Sequence, residues 1–214
     1  MLFRGHGKIV YLVWGTLIVA ALIAVILGRW SMAFVALSTL IMSMTPSFLA
    51  ERFHVTLPWQ FFTGIVLFIF GALFLGEAVD LYERFWWWDV LLHGASAIGF
   101  GLVGFIFVFG MFEGDRYAAP AWALTFISVC FAVAIGVVWE IFEYFMDQVF
   151  GMNMQKSGLQ DTMWDLIVDL IGGTIGAFSG LGYLKGQEKG GLPKVISDFV
   201  RMNRRMFKRS GRKK

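Results

Sequence analysis

Six side chains of this sequence combine types and spacings that could hold a cation or move a proton: Asp89, His93, Glu140, Glu143, Asp165 and Asp169. Asp89 and His93 stand four residues apart, so on a helix they share one face, with His93 about 6 Å further along the axis. Glu140 and Glu143 form an i, i+3 pair with Asp147 one turn later, and Asp161, Asp165 and Asp169 recur every fourth residue. At 3.6 residues per turn the last row drifts by about 40° per step and stays on one side of its helix. Carboxylates crowded together cannot all be ionised without a compensating cation, so convergence of the three groups calls for a metal or for shared protons. Carboxylate oxygens with one imidazole suit Mg²⁺, Mn²⁺, Ca²⁺, Zn²⁺ or iron. All six would be candidate ligands, and in a metal-assisted reaction His93 would be the general acid or base beside Glu140, Glu143 and Asp165.

The elements that must position these groups are dictated by composition. The 214 residues are 58% hydrophobic, 17% aromatic and only 15% charged, which excludes an ordinary water-soluble domain. Mean hydropathy is +0.70. Apolar runs long enough to cross a bilayer, about 20 residues each, fall near 8–28, 31–50, 58–77, 88–112, 120–147 and 160–184. The expected fold is all-α, a polytopic membrane helical bundle. The first run, preceded by Arg4 and Lys8, has the look of a signal peptide, but its length and the five further runs favour a retained helix. Pro58 and Pro120 stand at helix starts, and Pro46 is expected to bend or end the second span. The single cysteine, Cys130, excludes an internal disulfide and a thiolate zinc site.

Charge is separated along the chain. With both termini in the cytoplasm, fifteen of the eighteen Lys and Arg residues lie inside, and only Arg29, Arg84 and Lys156 lie outside. Ten of the fifteen acids, including Glu77, Asp80 and Glu83, lie in or beside the outer half. This predicts a multi-pass membrane protein with both termini in the cytoplasm. Residues 1–184 form the six-span domain and 185–214 a basic cytoplasmic tail, in which apolar residues recur at helical spacing from Lys194 to Ser210. A helix lying on the membrane and touching anionic phospholipid fits this tail, and no nucleic-acid partner is expected.

A charged group within a span costs at least about 2.5 to 3.5 kcal/mol, which sets the buried candidates apart from Asp147, Asp161, Glu77, Asp80 and Glu83, all compatible with helix ends or solvated loops. Gly172, Gly176 and Gly180, with Gly94, Ala97, Gly101 and Gly104, make narrow faces for close helix packing, and equally permit a homo-oligomer. Trp86, Trp87, Trp88, Trp139 and Trp164 read as an interfacial aromatic belt. The residues from Met152 to Gly158 read as a loop above the acids.

The segments Asp89-Val-Leu-Leu-His93, Trp139-Glu-Ile-Phe-Glu143 and the stretch from Gly158 through Asp165 and Asp169 to Gly172 resemble the YjdF-like family of uncharacterised prokaryotic inner-membrane proteins. They are also distantly similar to the VanZ-like family, in which an Asp-x-x-x-His helix accompanies an acidic helix and a later Asp-rich helix ending in Gly. The resemblance covers residues 75–180; it departs from the VanZ-like pattern at Tyr144 and at Asp169, where Asn is usual. Neither family has a settled activity, and the VanZ-like link to resistance against teicoplanin-type glycopeptides implies an envelope role. The expected function is therefore an extracytoplasmic carboxylate/histidine site for a divalent cation or protons, acting on or transporting an envelope lipid or small solute. The alternative is a structural or accessory subunit whose acids join helices.

Overall fold

A computed structural model describes residues 7–112 and 119–207. Arg4, Arg116 and the tail residues from Lys208 onward, counted above among the inside charges, lie outside the described residues. The described residues form eight α-helices and no strand: α1 Lys8–Ile26, α2 Trp30–Arg52, α3 Trp59–Ile69, α4 Leu81–Arg84, α5 Trp87–Met111, α6 Ala121–Phe150, α7 Leu159–Leu184 and α8 Gly191–Met202. A π-helical stretch, Phe70–Ala78, continues α3. Six helices, counting α3 with this stretch as one, are long and apolar enough to cross a membrane. They match the six apolar runs of the sequence, and the protein is an all-helical polytopic bundle.

The chain divides into two compact units, Met1–Trp88 and Asp89–Lys214. In the first, Val10, Val13, Trp14, Leu17, Phe62, Val66 and Phe74 form the core, and Trp14 Nε1 donates to Ser43 Oγ at 3.0 Å. Pro46 neither ends nor shortens α2, which runs on to Arg52. Proline removes one backbone bond, and a span has no competing water to reward unwinding there. The Ser43 and Thr45 hydroxyls bond carbonyls of the preceding turn, at Leu40 and Ile41. In the π stretch, Gly76 leaves the space that the Tyr82 ring fills, and a Cβ there would displace the ring.

The second unit carries the candidate residues. Along α6 the buried positions are Leu124, Thr125, Ser128, Ala132, Gly136, Glu140 and Glu143, a small and polar stripe, while Val138, Ile141, Phe142 and Phe145 are exposed. This polar-in, apolar-out pattern suits a helix surrounded by lipid. The buried stripe of α7 runs from Asp165 and Asp169 into Gly172, Gly173, Gly176, Ala177 and Gly180. That of α5 runs from His93 into Ala97, Gly101 and Gly104. On each helix, therefore, the ionisable residues and the small residues share one face.

Those small residues bring α5 and α7 into backbone contact. A Cβ on Gly101 would lie 2.9 Å from the Ala177 nitrogen and 3.0 Å from the Gly176 Cα, and one on Gly172 would lie 2.9 Å from the Ala97 Cβ. On the α6 side, a Cβ on Gly104 would come within 3.0 Å of the Ser128 carbonyl oxygen. At Gly101 and Gly172 a side chain would strike backbone of the facing helix, so these glycines hold α5 and α7 together, while Gly104 keeps α6 close.

At the far end of this unit the helix expected from Lys194 to Ser210 is shorter and partly packed against protein. Helix α8 stops at Met202, and its Ile196 and Phe199 are buried. Ile196 joins Leu102, Phe105, Val108, Phe109, Leu124 and Tyr183 in one cluster, with Leu192, Val200 and Phe207 packed against it. Part of the apolar face that the sequence assigns to lipid, around Ile196, is thus covered by α5, α6 and α7, while Met202 and Met206 stay exposed. Amphipathic spacing shows that a face must be covered, and protein satisfies it as well as lipid does.

Candidate functional site

Helix geometry puts the candidate residues at a common depth. At 1.5 Å per residue, His93 and Asp165 lie about 9 Å inside the starts of α5 and α7, and Asp169 and Glu140 about 15 Å from the start of α7 and the end of α6. The three stripes therefore meet one to three turns below the helix ends. Glu140 is 4% exposed and Asp165 and Asp169 are each 2% exposed; His93 and Glu143 are buried too. Asp89, with its side chain 22% exposed, is the member nearest to open surface.

His93 is the hub. Its Nδ1 lies 3.4 Å from Asp169 Oδ1 and 3.5 Å from Oδ2. Its Nε2 points the other way, 3.9 Å from Glu140 Oε1 and 4.0 Å from Asp89 Oδ1. One ligand atom each from Asp89, His93 and Asp165 lie within 4.8 Å of one another, an arrangement that could hold a metal ion. Neither oxygen of Glu140 has a hydrogen-bond partner among the described residues, and the same is true of Asp165 Oδ2 and Asp161 Oδ2. A buried carboxylate left without donors forgoes the compensation that burial demands. Two of these groups, Glu140 and Asp165, sit inside the cluster formed around one imidazole.

Of the six candidates, four, Asp89, Glu140, Asp165 and Asp169, are thus gathered about a fifth, His93. Glu143 belongs to its edge: its Oε1 accepts a hydrogen bond from Trp139 Nε1 at 2.8 Å, and it stays within electrostatic reach of Glu140 and Asp89. Trp139, grouped with the aromatic belt above, therefore has a polar task of its own, while Trp86, Trp87 and Trp164 are exposed as a belt requires. Asp147 stands outside the cluster and holds the loop. Its two oxygens accept from the Met154 and Gln155 backbone nitrogens at 2.7 and 2.9 Å, and Gln155 Nε2 donates to Thr162 Oγ1 at 2.6 Å. Gly151 and Gly158, at φ +65° and +64°, let the chain leave α6 and enter α7 around these bonds. Glu77, Asp80 and Glu83 belong to the first unit.

One residue escaped the sequence reading. A Cβ on Gly136 would collide with the Asp169 carboxylate, so α6 leaves room there for the group that faces His93 Nδ1. The signal was present: Gly136 lies four residues before Glu140 on the same face.

Residues 9–186 match the family described as "Predicted membrane protein (DUF2238)". The chain is also 30% identical over 98 residues to an uncharacterised protein of Thermotoga maritima, covering 46% of this chain and 50% of that protein. The chain thus spans about half the length of that curated relative. No solved structure matches the chain.

Proposed function

The chain belongs to the DUF2238 family of predicted membrane proteins, and from that premise we propose that it binds one divalent cation among Asp89, His93, Glu140 and Asp165 for use on an envelope lipid or small solute. The observation that carries this reading is Glu140: buried, with neither oxygen in a hydrogen bond among the described residues, and 3.9 Å from the imidazole nitrogen. A buried acid without a donor is costly in a membrane span, and a shared cation removes the cost for the whole group at once.

When bound, such an ion would polarise a phosphate or carbonyl oxygen or lower the pKa of a water molecule. The chain's own residues would orient that chemistry. Asp89 would guard the route in, Glu143 would sit at the rim held by Trp139, and the Asp147-pinned loop would close the space above. The backbone contacts of Gly101 with Gly173 and Gly176 favour a fixed, catalytic centre over a carrier whose helices must slide past one another.

The location that goes with this reading is the inner membrane with both termini in the cytoplasm and the cluster on the opposite side, as the charge separation suggests. Exposed Lys185, Lys189, Arg204 and Arg205 would then face anionic headgroups. The YjdF-like and VanZ-like resemblances agree with an envelope role. One observation favours the structural alternative, since His93 and Asp169 also link α5 to α7. Elemental analysis separates the two readings. Metal at about one ion per chain in the wild type, lost in Asp165→Asn and His93→Ala proteins of unchanged helicity, is the expected outcome. A folded wild type that takes up no metal from a mixture of the five candidate ions would leave only the structural role.

A further inference from the structure

The two nitrogens of His93 face different surroundings. On the Nε2 side stand Glu140 Oε1 at 3.9 Å and Asp89 Oδ1 at 4.0 Å. Two ligands each about 2.1 Å from one ion are separated by about 3.0 to 4.2 Å, depending on the coordination angle. Those spacings therefore have the size of a ligand set. Among the described residues that Glu140 oxygen has no hydrogen bond, and Asp165, whose Oδ2 also lacks one, is grouped with Asp89 and His93 within 4.8 Å.

On the Nδ1 side the surroundings are different. Asp169 Oδ2 stands in a long hydrogen bond to that nitrogen at 3.5 Å, with Oδ1 at 3.4 Å, so the whole carboxylate faces Nδ1. Gly136 gives this carboxylate its space, and a methyl group there would push it away. Asp169 is thus hydrogen-bonded to the imidazole, whereas no hydrogen bond joins Glu140 to Nε2.

Resting on the cation-binding reading above, we infer that Asp169 is a positioning residue rather than a ligand: it accepts a hydrogen bond from Nδ1–H of His93, fixes the tautomer and turns Nε2 toward an ion held by Asp89, Glu140 and Asp165. A carboxylate behind a ligating imidazole both orients the ring and raises its basicity. One imidazole with three carboxylates is a borderline set, so the ion is a first-row transition dication of the zinc, manganese or iron class in preference to calcium, whose sites are built from oxygen alone.

The test uses the full chain in detergent, with Co²⁺ as a visible probe and Zn²⁺ for magnetic resonance. The wild type is expected to bind one Co²⁺ per chain with a ligand-field absorption band, and Glu140→Gln to lose it. Asp169→Asn is expected to keep the ion at saturation while binding it about 10- to 100-fold more weakly, with a shifted band. In the ¹⁵N-histidine spectrum of the zinc-loaded wild type, with His93 assigned by its loss in His93→Gln, Nδ1 should carry the proton and Nε2 the metal. That last measurement needs no variant at Asp169 and holds even where Asp169→Asn fails to fold. Metal on Nδ1, loss of the ion from Asp169→Asn as complete as from Glu140→Gln, or unchanged affinity and spectrum in Asp169→Asn would each overturn the inference while leaving the cation site standing. Preference for Ca²⁺ over Zn²⁺ would overturn the assignment of the metal class alone. A wild type that binds neither Co²⁺ nor Zn²⁺ would overturn the cation site as well.

Discussion

At the α8 end of the second unit, Asp198 is only 7% exposed, yet one oxygen meets Lys194 Nζ at 2.8 Å and the other meets Arg201 Nη2 at 2.7 Å. At the opposite end, Glu140 is equally hidden, and neither of its oxygens has a hydrogen-bond partner among the described residues. Both carboxylates sit on helices of one compact unit. The first is compensated by cations of its own helix, at i−4 and i+3, and needs nothing more to explain it. The second shares its surroundings with several other acids, one imidazole and the Thr162 hydroxyl, none in hydrogen-bonding geometry with it among the described residues, so a cation or shared protons would compensate it. Burial alone does not mark a functional acid; burial without a partner does.

The largest effect should come from what the two ends have in common, the α5–α7 crossing between them. Gly101→Leu forces a side chain against the Ala177 and Gly176 backbone. It is expected to cost about 3 kcal/mol or more, lowering the thermal midpoint in detergent and loosening both ends together. Loss at one end alone would break the view that a single helix contact registers both.

Next in size is stabilisation by the ion. At a free concentration a hundred times its Kd, a ligand bound only by the folded state contributes about 2.7 kcal/mol. The wild type should gain this against thermal unfolding, and Glu140→Gln and Asp165→Asn should gain none. The metal-free Glu140→Gln protein should moreover be more stable than the metal-free wild type, because an uncompensated buried charge has been removed.

The smallest effect belongs to the compensated end. Asp198→Asn is expected to lower stability by about 1–2 kcal/mol, since its partners lie partly in solvent, and to leave metal binding untouched. Lys194→Ala should cost no more than about 0.5 kcal/mol, because its side chain is already 45% exposed. Opposite signs for Glu140→Gln and Asp198→Asn in metal-free protein are the sharpest form of the contrast.

The spans were legible in the sequence because hydropathy over 20 residues integrates many weak preferences. The run placed at 160–184 is the helix Leu159–Leu184, and that at 88–112 is Trp87–Met111. The convergence of Asp89, His93, Glu140, Asp165 and Asp169 was legible from spacing and depth. Three features were not. The covering of Ile196 depends on which surface meets an apolar face, which no periodicity states. Trp139 bonds Glu143 within one helix, and an interfacial tryptophan has the same sequence signature with or without that bond. Gly136 serves a neighbour on another helix, so its reason appears only when α6 and α7 are side by side.

Equilibrium dialysis of the purified chain against Zn²⁺ or Mn²⁺, wild type beside Glu140→Gln, tests the central claim most directly. The account predicts about one ion per chain in the wild type and none in a variant that keeps its helical content and its elution volume. Equal uptake by both proteins, or none by a folded wild type, would contradict it.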